Sequence, residues 1–383
     1  MPIDFFEKRL RDLECQGLLR TVKDKSTPQG PRIIIEGKEL INFASNDYLG
    51  FASNELLKEA SLSAISHYGT GAGASRLLGG GTELHKALEK RIASFKDTPK
   101  ALLLNSGYIA NVVSIACLME EGDYIFSDEL NHASIIDGCR LSRARVFIYS
   151  HKDTGHLEEL LYSIKNEGGR RLIVTDSVFS MDGDIAPVPD LLRIAERYNA
   201  LLYIDDAHAT GVLGGGHGSL KHFGLSHRPY IIQMGTFSKA LGSFGAFVAA
   251  EESIIDWLIN KARGFIYSTC LPPSVVGASL KALELIEKDK SPIERLWKNR
   301  DLAIKIIKDA GLEIGPSETP IIPVLFKNIE DCLNFSSRLF DKGIYAPAIR
   351  PPTVQVPRLR FTITAAHSEE DLEHLHRAIK EIK

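Results

Sequence analysis

Tyr230-Ile-Ile-Gln-Met-Gly-Thr-Phe-Ser-Lys-Ala-Leu-Gly-Ser-Phe-Gly245 opens apolar, then breaks into small, polar and glycine residues with Lys239 at the break. The apolar half reads as a buried strand. A lysine just past the end of such a strand is partly desolvated. Desolvation disfavours an ammonium and so favours the free amine that Schiff-base chemistry needs. Thr236 and Ser238 offer hydroxyls to an anion beside it, and Gly242 and Gly245 permit a tight chain path. The competing reading is a lysine in a surface loop, the usual setting for this residue.

The segment upstream decides between them. Tyr203-Ile204-Asp205-Asp206-Ala207-His208 is a second apolar strand ending in acid and imidazole. An amine for an aldehyde and a carboxylate for a pyridinium proton are the two protein groups a pyridoxal 5'-phosphate site needs most. Two adjacent acids also suit a metal pair. No acid or histidine cluster with ligand spacing accompanies them, and H-E-x-x-H is absent, so no metal is expected. His208 is either a functional imidazole or a capping or core histidine. His132, in Asp128-Glu-Leu-Asn-His-Ala-Ser134, follows another strand end, where a flat ring can stack on a flat cofactor.

Working outward, strands and helices alternate. A helix over Glu83–Phe95 with Thr82 as cap leads to the strand Ala101–Leu104. Asn105-Ser106-Gly107-Tyr108 opens a helix to about Met119. Its N-terminus reads either as a phosphate seat or as an ordinary capped turn. Tyr124–Phe126, a helix near 133–142, Arg145–Tyr149, Leu172–Thr175, a helix near 189–198, Leu201–Ile204, Ile231–Met234 and Phe247–Ala250 follow. This pattern predicts an α/β fold with a mostly parallel, doubly wound sheet, in which ligands bind beyond the carboxyl ends of the strands. Ser106, Ser180, Asp205, His208 and Lys239 all fall there. The glycine-rich Tyr68–Arg76 loop lacks the spacing and the preceding strand of a dinucleotide site; close approach of a ligand or neighbouring subunit is expected instead.

Before this region, residues 3–20 read as a short helix with Phe5, Phe6, Leu10 and Leu13 on one side, ending near Gly17. A hairpin through Ile33–Ile35 and Leu40–Phe43 and a helix over 55–67 follow. After residue 285 come a charged helix (Pro292–Ala310), a strand (Ile321–Phe326), a helix (Asp331–Asp341), an arginine- and proline-rich loop at Arg350–Thr353, a strand (Leu359–Thr364) and a closing helix (Glu369–Ile382). The expected organisation is an N-terminal segment (1–45), a large cofactor domain (46–285) and a smaller α+β C-terminal domain (286–383).

The chain has 383 residues, 44% hydrophobic and 25% charged, enough for two domains with a sizeable core. A net charge of −3 makes no case for nucleic acid or an anionic membrane as partner. No apolar run has membrane-spanning length, and the first residues lack a signal-peptide core. The five cysteines are scattered, odd in number and without C-x-x-C spacing, as expected of reduced thiols in a cytoplasmic protein.

Six segments, taken together and in order, strongly resemble the α-oxoamine synthases. They are Asn46-Asp-Tyr-Leu-Gly50, Gly71-Ala-Gly-Ala-Ser-Arg76, Asp128–Ser134, Phe179-Ser-Met-Asp-Gly-Asp184, Asp205-Asp-Ala-His-Ala-Thr-Gly211 and Thr236-Phe-Ser-Lys-Ala240. The resemblance runs from about residue 20 to the C-terminus. It implies a fold-type-I, aspartate-aminotransferase-like transferase that uses pyridoxal 5'-phosphate and works as a homodimer. The Ala346–Val354 stretch, Arg358-Leu-Arg360 and Arg20 look most like the member that joins L-alanine to a pimeloyl thioester, carried on CoA or on an acyl carrier protein, with loss of CO2. The rival within the family joins glycine to acetyl-CoA; a non-catalytic scaffold of the same fold is the rival from another class, which Lys239 argues against. One departure is Ala209, where the family usually has glycine.

By that resemblance Lys239 bonds the cofactor and moves the Cα proton, Asp205 pairs with the ring nitrogen, His208 bonds the ring hydroxyl and His132 stacks on the ring. Ser180 lies near the ring hydroxyl or the aldimine. Ser106, Gly107, Tyr108, Thr236 and Ser238 serve the phosphate region, and Ser268 and Thr269 reach a phosphate across the dimer interface. Asn46 and Arg350 hold the amino-acid carboxylate; Arg20 and Thr353 line the acyl path.

Overall fold

The computed structural model describes residues 2–383. The chain folds into two compact units: one takes residues up to Tyr48, Met181–Gly183 and Glu294–Lys383, the other Leu49–Ser180 and Asp184–Ile293.

The larger unit is built on a seven-stranded sheet. Its order is Lys100–Leu104, Ala246–Ala250, Ile231–Thr236, Leu201–Asp205, Arg171–Asp176, Tyr124–Asp128 and Arg145–Tyr149. Only Ala246–Ala250 runs against the rest; it pairs antiparallel with both neighbours. Burial explains the composition. Ile231–Thr236 and Ala246–Ala250 are buried at every residue, so they are nearly all apolar or small rather than alternating; the buried amide of Gln233 is satisfied by donating to Lys96 C=O at 3.1 Å. Apolar layers cover both faces, one around Ile115, Val174, Ile232 and Val248, the other around Phe126, Ile173, Leu202 and Leu191. Register decides what faces the ligand edge. Asp176 pairs with Asp205 and Asp205 with Met234, so adjacent strands end together and deliver Asp128, Asp176, Asp205 and Thr236 to one rim.

The smaller unit holds two three-stranded sheets. Arg32–Ile35 and Lys38–Asn42 form the expected hairpin, with Glu36 and Gly37 both at positive φ, as a tight two-residue hairpin turn requires. Ile344–Tyr345 adds in parallel. The other sheet orders Ile321–Leu325, Arg358–Thr362 and Ala348–Ile349. Phe43, Ile307, Val324, Leu339, Phe361 and Leu375 pack among the core of this unit.

Five α-helices among the described residues are not read from the sequence: Thr154–Ser163, Glu252–Lys261 and Pro273–Lys288, and the single turns Ser219–His222 and Arg263–Ile266; of these, Pro273–Lys288 is the longest. Pro273–Lys288 packs so closely on Glu55–Tyr68 that a Cβ on Gly277 would come within 2.9 Å of the Ala60 carbonyl, which is why a glycine interrupts it. The N-terminal expectation needs correction. The helix is Pro2–Cys15, and Phe5, Phe6, Leu10 and Leu13 are exposed, Phe6 at 61%; the apolar side joins no core among the described residues. Ala209 does not have a positive φ, so the alanine there carries no backbone strain.

Candidate active site

Lys239 follows the strand Ile231–Thr236 by three residues and is half-buried, in a loop that closes on itself. Phe237 N–H donates to Gly245 C=O at 2.9 Å, and Gly242 N–H to Lys239 C=O at 2.9 Å. Gly242 and Gly245 stand at φ +61° and +101°, and a Cβ on Gly245 would sit 2.7 Å from Leu271 Cδ1. Both glycines are therefore required for the path that presents Lys239.

Asp205 ends the neighbouring strand and is buried. Its Oδ2 accepts from Asn111 Nδ2 at 2.6 Å, and its Oδ1 from the Ala207 N–H at 2.8 Å. Burial pushes its pKa up; the Lys239 ammonium, Asn111 and the Ala207 N–H pull it back. Asp176 is buried too, and burial together with Asp205 holds its pKa well above the usual carboxylate range. Its carboxylate accepts from the His132 N–H at 2.7 Å. His132 has its pKa lowered by burial, with Asp205 opposing and Lys239 assisting. Lys239, Asp205, Asp176 and His132 thus form one electrostatic group.

A buried chain of hydrogen bonds supports this group. Asn111 also donates to Ser134 Oγ at 2.8 Å, and Tyr203 OH donates to Asn111 Oδ1 at 3.0 Å. His132 Nδ1 accepts from the Ser134 N–H at 3.2 Å and lies 2.7 Å from Ser134 Oγ. Asn111, Ser134, Tyr203 and Asp176 were missed in the sequence. Asp206 leaves the list of candidates. It forms a fully buried ion pair with Lys96, Nζ to Oδ2 2.8 Å, and Lys96 also donates to His217 C=O at 2.7 Å. No group of three or more His, Cys, Asp or Glu among the described residues can hold a metal ion.

The helix Gly107–Leu118 begins beside the end of the Lys239 strand: a Cβ on Gly107 would lie 3.8 Å from Thr236 Cβ. Ser106 caps it, its Oγ accepting from Ile109 N–H at 3.3 Å and its C=O from Ala110 N–H at 2.9 Å. The first N–H groups of an α-helix, here those of Gly107 and Tyr108, have no acceptor within the helix, and such a terminus suits an anion. Thr236 and Ser238 hydroxyls both donate to Gly245 C=O, at 2.8 and 3.3 Å, leaving their oxygens able to accept. Tyr108 hydrogen-bonds Asp137, and its ring lies edge-on to His132, centroids 6.3 Å apart. Asn105 Nδ2 donates to Thr269 C=O at 2.8 Å, and Ser75 bridges Thr269, so the glycine-rich loop and the Ser268–Thr269 segment lie together. Ser180 is half-buried in the hairpin closed by Val178 and Ile185; His208 is buried in the turn after Asp205.

A buried carboxylate, an amine, a flat imidazole and a helix N-terminus are the donor set that suits pyridoxal 5'-phosphate: a ring nitrogen, an aldehyde, a ring face and a phosphate.

In the other unit, Arg20 Nη2 donates to Thr353 Oγ1 at 3.0 Å. Arg350 Nη2 donates to Leu19 C=O at 2.8 Å. Both arginines line a cleft of about 440 Å³ with Lys23, Ser336 and Tyr345. Asn46 Oδ1 accepts from Arg360 Nη2 at 3.1 Å, so the buried Arg360, to which the sequence reading gave no role at the site, fixes it.

The family model for aminotransferase class I and II matches residues 38–379, and the chain belongs to that family. Among relatives it is 55% identical to a provisionally named 8-amino-7-oxononanoate synthase of Thermodesulfovibrio yellowstonii, over 98% of this chain and 97% of the relative. It is 48% identical to the 8-amino-7-oxononanoate synthase of Geobacter sulfurreducens, over 97% and 96% of the two chains. Among solved structures, serine palmitoyltransferase from S. paucimobilis, with PLP and myriocin bound, superposes with a TM-score of 0.93 at 27% identity, over 99% and 97%. The 8-amino-7-oxononanoate synthase of Francisella tularensis gives 0.76 at 30% identity, over 90% and 97%.

Proposed function

We propose that this chain is a pyridoxal 5'-phosphate-dependent acyltransferase that condenses L-alanine with a pimeloyl thioester to give 8-amino-7-oxononanoate, CO2 and free thiol, a step of biotin biosynthesis. The observation that carries the reading is Lys239 set electrostatically against buried Asp205 on the next strand, in a chain whose near-full-length relatives bear that name. One C–C bond forms between alanine Cα and the acyl carbon, the acyl C–S bond breaks, and the alanine carboxylate departs as CO2.

When bound, the cofactor supplies an aldehyde that condenses with an amine and a ring that accepts an electron pair. On this reading Lys239 Nζ is the amine that would hold the aldehyde, and it is the base that would carry the alanine Cα proton and give it back once CO2 is lost. Asp205 holds a proton on the ring nitrogen. His132 would stack on the ring, His208 would bond the ring hydroxyl, and Ser180 would serve the ring hydroxyl or the aldehyde end. Ser106, Gly107, Tyr108, Thr236 and Ser238 hold the phosphate. Asn46 and Arg350 orient the alanine carboxylate; Arg supplies a planar fork for that purpose.

The same reading makes the protein a cytoplasmic homodimer in which Ser268 and Thr269 serve the partner's phosphate. Exposed Leu77, Leu78 and Tyr267 beside the Ser75–Thr269 bridge support an interface there, and the five free cysteines suit a reducing compartment. The acyl donor is the CoA thioester or its carrier-protein equivalent.

The purified protein, loaded with the cofactor, should release CO2 from alanine with pimeloyl-CoA and turn over glycine with acetyl-CoA far more slowly. Efficient use of the second pair displaces the biotin-pathway reading. The acyl side should carry most of the discrimination, because one methyl separates alanine from glycine and such a group is worth only ~1–3 kcal/mol. The pimeloyl chain ends in a carboxylate that acetyl-CoA lacks, and Arg20 with Thr353 is the pair assigned to it. Arg20→Ala should raise the Michaelis constant for the pimeloyl thioester by about 10-fold or more, the scale of a charged hydrogen bond. Alanine binding should barely change; equal losses on both sides would refute this role.

A further inference from the structure

His151 has no part in the roles above, yet it is tied to both sides of the cofactor group. Its Nδ1 lies 2.9 Å from Asp128 Oδ1 and its Nε2 2.8 Å from Asp184 Oδ2, and both carboxylates are buried. An ionised carboxylate only accepts, so both ring nitrogens carry hydrogen and the ring is an imidazolium. Lys152 Nζ stands 3.1 Å from the same Asp184 oxygen. Glu129 accepts from the His151 backbone N–H at 2.8 Å, and the Phe179 ring stands perpendicular to the imidazole, centroids 4.3 Å apart. Two further ionisable groups face Asp128: Tyr149 is held neutral by burial, and Asp176 has its pKa held up by burial and Asp205, with Asp128 adding to the rise.

The two carboxylates belong to two different loops. Asp128 ends its strand and accepts from the N–H groups of Leu130 and Lys152, both at 2.9 Å; the turn it organises carries His132. Asp184 closes the hairpin that carries Ser180, its C=O accepting from Phe179 N–H at 3.1 Å beside the Val178–Ile185 bridge.

We propose that His151 is a positioning residue: bonded through both ring nitrogens, it locks the Asp128–His132 turn to the Val178–Ile185 hairpin and so fixes His132 and Ser180 relative to each other. Their cofactor roles rest on the function proposed above; the lock itself does not. Burial opposes the charge on His151, but Asp128 and Asp184 outweigh it and raise the pKa to about 9 from 6.5. A raised folded-state value means that the stabilisation is complete below pH 6.5 and is lost as pH rises through about 9.

His151→Gln keeps the size and removes the charge. Amide hydrogen exchange should quicken together in residues 129–134 and 178–185, by about 10-fold. Release of pyridoxal phosphate from the holoenzyme should quicken on a similar scale, as when outer-shell partners of other sites are removed. The loss of thermal stability expected of wild type between pH 6.5 and about 9 should flatten. His151→Arg, which retains charge and donors on two sides, should restore the slow exchange. A lower melting temperature with exchange in the two segments and cofactor release unchanged would reduce His151 to a general structural role and overturn the proposal. Should the Gln variant not fold, nitrogen NMR of the wild-type ring decides: both nitrogens protonated at neutral pH are expected, and titration near 6.5 overturns the lock. Hydrogen exchange and cofactor release need neither alanine nor a pimeloyl thioester, so a failed substrate assignment is distinguishable from a failed lock.

Discussion

Lys239→Ala should yield a folded protein with no borohydride-reducible bond to pyridoxal phosphate and with activity lowered by at least about 10³-fold. The size follows from the proposed roles of Lys239, a proton-transfer group worth roughly 10²–10⁴-fold and the amine for the cofactor aldehyde. The fold should survive because Lys239 is half-buried in a loop held by its own backbone bonds, Phe237 to Gly245 and Gly242 to Lys239, which an alanine retains. A second signature comes from electrostatics. The Lys239 ammonium pulls Asp205 down and also lowers His132, so its removal should raise both pKa values. NMR titration of His132 in the cofactor-free variant would read this directly. A covalent link that persists after reduction would assign the amine to another lysine.

How this site was legible follows from which residues keep a one-dimensional signature. Lys239 and Asp205 each end an apolar run, and strand ends on one rim are where parallel sheets place ligands. Ser106 and Gly107 announce a helix start by their types alone. Asn111 has no such mark. It sits in the interior of Gly107–Leu118 and would pass for a surface polar residue, yet it is buried against Asp205, Ser134 and Tyr203. Its role depends on three elements brought together by the sheet register, which no local pattern encodes. Asp206 illustrates the converse. By type and position it equals Asp205, and only the buried Lys96, 110 residues away along the chain, takes it out of the site. The N-terminal helix carries an apolar side in its spacing, but spacing does not say whether anything packs on that side; Phe5, Phe6, Leu10 and Leu13 stay exposed.

Asp205→Asn should bind the cofactor and fold, while slowing alanine Cα-proton exchange by about 10²–10³-fold, corresponding to ~3–4 kcal/mol for a preorganised charge facing a reacting system. In the proposed role the carboxylate acts by its negative charge against a ring proton, and an amide has none. Two neighbours sharpen the expectation. The Ala207 N–H can still bond the amide oxygen, so the turn is kept. Asn111, which donates to Oδ2, would meet an NH2 group or must turn over, and turning over ends its acceptance from Tyr203 OH. Stability should respond in the opposite direction to activity. Burial raises the Asp205 pKa in the cofactor-free protein, so the folded state binds more protons than the unfolded one just above the ordinary carboxylate value. Stability due to this group therefore falls as pH rises through that window. The Asn variant lacks the group and should lose less thermal stability than wild type when cofactor-free protein is taken from about pH 5 to about pH 8. Near-wild-type proton exchange in this variant would remove Asp205 from the ring nitrogen, and Asp176, the other buried carboxylate beside Lys239, would be the group to test next.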